Sequence, residues 1–139
     1  MEVRKQEAIL SNNNVNEKEI VSFLQAEIHG LVWVGLFGSA VTEYFEKYKS
    51  DVDIAFVSEA EISNIKRWEI QEALASKLNS DIDLVDLDKS NDVISFEILS
   101  KGKNIFKKDS VKLEIFLDKI YINYIQLNED RKEIVEMYE

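Results

Sequence analysis

The chain has no cysteine and no proline, a single histidine, and only four glycines in 139 residues. Without cysteine there are no disulfides, no thiolate zinc sites and no cysteine nucleophile. One histidine excludes a His-rich metal centre and leaves a serine triad no alternative base. That residue, His29, precedes Gly30, where a helix is expected to end, and a histidine there serves the last helical carbonyls. No apolar run has the length of a membrane span; the longest, Gly35 aside, covers residues 31–37. The N-terminus MEVRKQEAIL is charged and lacks a signal-peptide core, so the sequence predicts a cytoplasmic chain. Positive charge is also scarce, with 17 Lys and Arg against 27 Asp and Glu, a net charge of −10. Such a chain repels a phosphate backbone, because nucleic-acid affinity is built on neutralising phosphates with Lys and Arg. Direct nucleic-acid binding is not expected, nor is a membrane partner. One nucleotide carried with its own Mg²⁺ remains feasible, and the acidic surface favours a basic protein partner.

Hydrophobic residues at 45% and charged residues at 32% give the balance of an ordinary globule. The length predicts one domain over residues 1–139, with a core at about 16–108 and a helical region at about 109–139. Asn16 and Glu19 form a capping box, and Ile20, Val21, Phe23, Leu24 and Ile28 then repeat at helical spacing. Residues 31–37 read as a strand covered on both faces. Val41, Tyr44, Phe45 and Tyr48 predict a short helix, and residues 51–57 a second strand. A helix is expected over 61–78, with a stripe of Ile62, Ile65, Trp68, Ile70, Leu74 and Leu78. Residues 81–87 form a third strand. Asn91 caps a further helix that Gly102 closes, and 104–107 is a short extended piece. A long helix runs from Asp109 to the C-terminus, with a break expected near 128–130. This order predicts an α/β (α+β) domain, a small central sheet with helices packed against it.

The chemistry concentrates in the strand-turn-helix-strand unit 31–57. Gly38-Ser39 sits at the start of the short helix, where backbone N–H groups and a hydroxyl can meet phosphate oxygens. Asp51 and Asp53 alternate with Val52 and project to one face of the second strand, offering hard oxygen ligands to Mg²⁺. In the third strand, Asp81, Asp83, Val85 and Leu87 share one face, and Ile82, Leu84 and Asp86 the other. If that strand lies beside the second, Asp83 joins Asp51 and Asp53. Three carboxylates there suit two Mg²⁺ ions about 3.5–4 Å apart, the arrangement for in-line attack on a phosphate. Asp81, Asp86 and Asp88 read instead as solvated or turn residues.

With Gly38-Ser39, Ser50-Asp51-Val52-Asp53 and the run from Asp83 to Leu87 in place, the chain resembles the minimal nucleotidyltransferases of the polymerase-β-like superfamily. The run from Phe96 to Phe106 resembles the helix and closing strand that follow their third acid. The resemblance covers roughly residues 20–108. It implies the polymerase-β-like fold, with a mixed sheet. It also implies phosphate binding by Gly38 and Ser39, metal binding by Asp51 and Asp53, and activation of the attacking hydroxyl by Asp83. ATP is the implied co-substrate. Small members of this kind commonly pair, as antitoxins, with a HEPN-domain ribonuclease toxin. They neutralise it by transferring AMP to a toxin tyrosine, which implies a hetero-oligomer with a basic, RNA-cleaving partner.

Two departures stand out. Many members carry an Arg just after the Gly-Ser pair, where this chain reads Ala40-Val41-Thr42-Glu43. Phosphate charge then falls to metal, backbone or a lysine, with Lys47, Lys49, Lys101 and Lys103 as candidates. The spacer of eleven residues between Ser39 and Asp51 is also slightly long. A module that only blocks the toxin sterically is the alternative reading. A small-molecule (antibiotic) nucleotidyltransferase is a further one, for which 139 residues leave little room. The apolar residues of the last helix, from Ile115 to Leu127, are expected mostly in the core, with Tyr121 and Tyr124 as surplus for a partner.

Overall fold

The structure, a computed structural model, describes residues 16–38 and 51–137. Four strands form one sheet in the order β3-β2-β1-β4: β1 (Leu31–Phe37), β2 (Val52–Ser58), β3 (Ile82–Asp86) and β4 (Lys103–Lys107). β1 runs antiparallel to both β2 and β4, while β2 and β3 are parallel, so the sheet is mixed. The parallel pair requires a crossover, supplied by helix α2 (Asn64–Leu78). Helices α1 (Glu17–Glu27), α3 (Asp92–Lys101) and α4 (Val111–Met137) complete the described elements.

The sheet is buried on both faces, as the unbroken apolar run of β1 requires. Val34, Leu36, Ile54, Phe56 and Leu84 meet Ile20 and Leu24 of α1 and Ile70 and Leu74 of α2. Trp33, Ala55 and Val57 meet Ile98 of α3 and Leu113 of α4. Gly35 makes the second packing possible: the Trp33 indole lies where a Cβ would be, 2.3 Å from its nearest ring atom. The indole N–H then donates to Asn104 Oδ1 at 3.0 Å, tying β1 to β4.

Local signals place the helix ends. Asn16 Oδ1 accepts from Glu19 N at 3.0 Å, and Glu19 answers by accepting from the Asn16 amide. Asn91 Oδ1 accepts from Ile94 N at 2.8 Å, and Gly102 closes α3. The other boundaries move. The helix expected from residue 61 starts at Asn64, because Ser63 caps it by accepting from Lys66 N. Once Ile70 and Leu74 face the sheet, Ile65 and Trp68 lie about 140–160° away around the helix. They are 74% and 54% exposed, not part of the buried stripe. The third strand stops at Asp86, since Leu87–Lys89 turns as a 3-10 helix capped by the Asp86 carboxylate. Asp86 is accordingly a buried turn cap, and its pKa is raised, chiefly by burial.

Two expectations for the last helix are corrected. It begins at Val111, where Ser110 Oγ accepts from Leu113 N, and continues through 128–130 without a break. Gln126 donates to Asp130 across that stretch, four residues on. Of its apolar residues from Val111 to Leu127 only Leu113 and Ile120 are buried, so most of the stretch from Ile115 to Leu127 is not core. The short helix expected over Val41, Tyr44, Phe45 and Tyr48 lies outside the described residues.

Candidate functional site at one end of the sheet

β1 ends where β2 and β3 begin, and the register stacks the expected residues there. Phe37 of β1 pairs with Asp53, and Asp53 pairs with Asp83 on the parallel neighbour. Directly paired residues share a face, so Asp53 and Asp83 project together, on the side of Ala55 and Val57. Asp51 stands one residue before β2 and is exposed, while Val52 is buried in the opposite core. The Val52 N–H donates to Asp81 O at 2.8 Å, which ties the starts of the two acidic strands together.

Gly38 closes the site from the β1 side. Its φ of +65° is a left-handed conformation favouring glycine. A Cβ there would lie 2.3 Å from Asp53 Oδ2. The half-buried Asp53 carboxylate therefore rests against the turn, in space only glycine leaves free. Ser39, the other expected phosphate contact, lies outside the described residues.

The electrostatics match this crowding. The Asp53 carboxyl is pushed up to about 6, first by burial, then by the charges of Asp83 and Asp51. Desolvation and two like charges both oppose its ionisation. A divalent cation would reverse that balance. The donor set, carboxylate oxygens beside a glycine turn, fits a hard cation such as Mg²⁺. Among the described residues no three acidic, histidine or cysteine side chains already converge as a metal-binding group.

The four candidate lysines separate. Lys103 pairs with Leu36 in the register and so belongs to the α1 side of the sheet, where it meets Glu17 at 2.7 Å. It does not share the face of Asp53 and Asp83. Lys101 ends α3, the helix packed on the carboxylate face, and its only described ion pair is an exposed one to Glu97 at 2.7 Å. Lys47 and Lys49 lie outside the described residues.

One positioning device escapes a reading of the sequence. β3 is an edge strand, yet Leu84 N donates to Gln71 Oε1 at 3.0 Å, and Arg67 donates to Leu84 O at 2.8 Å. Two side chains of α2, one turn apart, substitute for a missing strand and hold β3 one residue from Asp83. Only a polar pair at i, i+4 hinted at this, and such pairs are common on exposed helices.

Comparison with known proteins agrees with the fold described above. A family model described as polymerase beta, nucleotidyltransferase matches residues 18–111. Protein adenylyltransferase MntA of Shewanella oneidensis is 34% identical over 122 residues, 88% of this chain and 86% of that protein. A crystal structure of a toxin-antitoxin with AMP-PNP is similar with a TM-score of 0.75 and 34% identity, covering 88% of this chain and 97% of the matched one. A structure of tri-AMPylated Shewanella oneidensis HEPN toxin in complex with MNT antitoxin matches with a TM-score of 0.68 and 33% identity. That match covers 86% of this chain and 92% of the other.

Proposed function

The chain belongs to the polymerase beta nucleotidyltransferase family, and on that premise we propose that it is an antitoxin that transfers AMP from ATP to a tyrosine of a HEPN-family toxin. The observation that carries the reading is the Asp53–Asp83 register pair beside Gly38, carboxylates without an ion pair among the described residues against a turn without a side chain. The relatives named above, an adenylyltransferase and an antitoxin bound to an AMPylated toxin, support the acceptor class.

In the reaction, the tyrosine oxygen attacks the α-phosphorus of ATP and a new O–P bond forms. The bridging bond to the β-phosphate breaks, and pyrophosphate leaves. The hydroxyl proton passes to a carboxylate, and Asp83 takes that role. Gly38 and Ser39 receive the polyphosphate through backbone N–H groups and the serine hydroxyl. Asp51, Asp53 and Asp83 would hold two Mg²⁺ ions, which when bound neutralise the polyphosphate and lower the pKa of the attacking hydroxyl. Lys101 supplies the side-chain cation that Ala40-Val41-Thr42-Glu43 lacks. Its pair with Glu97 is exposed to solvent and exchanges readily for phosphate. We assign the chain to the cytoplasm because its co-substrate is ATP. No helix among the described residues is long and apolar enough to cross a membrane.

The test is direct. The purified chain, incubated with its HEPN-domain partner, labelled ATP and Mg²⁺, is expected to label the partner; a folded chain that leaves it unlabelled would overturn the reading. The second reading, steric block without chemistry, is favoured by the missing cation after the turn. Asp51→Asn with Asp53→Asn separates the two: loss of rescue from the toxin supports transfer, while full rescue supports sequestration.

A further inference from the structure

Helix α4 has two apolar faces, and the described residues cover one. At about 100° per residue, Leu113, Phe116, Leu117, Ile120 and Tyr124 gather on one side. Leu113 and Ile120 are buried, Phe116 and Leu117 lean on the second core, and Tyr124 stacks on Phe96 with ring centroids 3.6 Å apart. Val111, Ile115, Ile122 and Ile125 fall within about 60° of the opposite direction, and they are 72%, 63%, 63% and 39% exposed. The outer stripe is about 20 Å long by the rise per residue. A helix that packs on one side of a domain needs one apolar stripe, and a contiguous exposed one marks an interaction surface. The charges interleaved with it are acidic. Asp118 and Glu129 lie on the stripe, and Glu114, Lys119 and Lys132 flank it, all exposed.

We infer that this outer face of α4 docks the HEPN-family toxin, which presents apolar contacts flanked by Lys or Arg. The inference rests on the functional reading above and adds where the partner is held. Charge selects the occupant. A second copy carries the same net −10 and would bring Asp118 and Glu129, the charges on the stripe itself, towards their own kind. A ribonuclease must carry cations to hold RNA, and the acids on the stripe complement them. The stripe also lies largely beyond residues 18–111, the part matched by the family model, so the docking surface and the transfer site occupy separate parts of the chain. The mode is helix-in-groove, read as anchors at 111, 115, 122 and 125.

Ile115→Asp with Ile122→Asp tests it, measured with the purified HEPN-domain partner by calorimetry. At two exposed anchors the dissociation constant is expected to rise at least about tenfold. The circular dichroism spectrum, melting temperature and AMP-PNP binding stay those of the parent chain. Ile115→Ser with Ile122→Ser, which adds no charge, is expected to weaken binding in the same direction by less. A double Asp variant that binds with the parent dissociation constant would overturn the surface, even while the parent chain labels the toxin. So would a parent chain that sediments as a dimer which the substitutions split, since the stripe would then belong to a second copy. A parent chain that neither binds nor labels the toxin would overturn the functional reading as well.

Discussion

The two ends of the sheet are both acidic and behave in opposite ways. At the end where β2 and β3 finish, Glu59, Asp86 and Asp88 each have a partner. Lys112 donates to Ser58 O and meets Asp88 at 2.9 Å, Lys89 donates to Ile62 O, and Ser110 donates to Glu59. At the end where they start, Asp53 and Asp83 stand side by side with Asp51 near, and no described ion pair joins them. The first end closes the fold; the second stores repulsion that a bound cation and nucleotide would relieve. The lesson is that the number of acids says little about function, whereas acids left without counter-charge say a great deal.

The contrast can be broken from either side. The largest effect is expected from Asp51→Asn with Asp53→Asn, which removes charge with little change in volume. Transfer of labelled AMP should fall by about 100-fold or more, while the melting temperature without divalent metal rises. Next is Gly38→Ala, which forces a Cβ into the Asp53 carboxylate at a positive φ. It should cost about 1–2 kcal/mol in denaturant unfolding and about tenfold in transfer, since Asp53 must shift. At the opposite end, Lys112→Met leaves the Ser58 carbonyl and Asp88 without their cation, a loss of about 1–2 kcal/mol in the same assay with metal and nucleotide binding unchanged.

A smaller effect tests the stored repulsion through pH. The Asp53 carboxyl titrates near 6 in the folded chain and at 3.8 in its ordinary state, so the folded state binds the proton more tightly. Its contribution therefore favours folding below about pH 4 and is lost as pH rises through 6, the reverse of an ion-paired aspartate. Discounted for its partial exposure, the swing is about 1 kcal/mol. The difference in melting temperature between the parent chain and Asp53→Asn, measured in chelator, should shrink as pH falls from 7.5 to 5. Smallest of all, Lys101→Met should raise the KM for ATP about two- to fivefold with little change in kcat, as expected for one exposed phosphate contact. Lys103→Met, on the opposite face, should leave it unchanged.

Elements and site were unequally legible. β1 read clearly because both its faces are covered, so its apolar run is unbroken. The caps at Asn16 and Asn91 read clearly because each is a local hydrogen bond between a side chain and a backbone N–H. α2 misled because Ile65 and Trp68 fit a helical stripe whose phase only the packing of Ile70 and Leu74 reveals. α4 misled for the same reason, since apolar residues on two sides of a helix do not say which side the core takes. At the site, Asp51, Asp53 and Asp83 were named from alternation alone, but their meeting depended on β3 lying beside β2 in register. The Arg67 and Gln71 clasp that holds β3 at the sheet edge left only an i, i+4 polar pair in the sequence, a pattern too common to single it out.

By itself, the order of residues determined what is local: the strand periods, the caps, the acidic pairs and a glycine where the turn must pass. Those properties depend on a few neighbouring residues and on the shortage of cysteine, histidine and positive charge, which leaves carboxylates as the main chemistry. Tertiary structure decided what is long-range: the 53–83 register, the loss of Lys103 to the far face, and the exposure of the outer side of α4. Each depends on how strands and helices far apart in the chain bury apolar area together. Residue spacing encodes that packing only through its outcome.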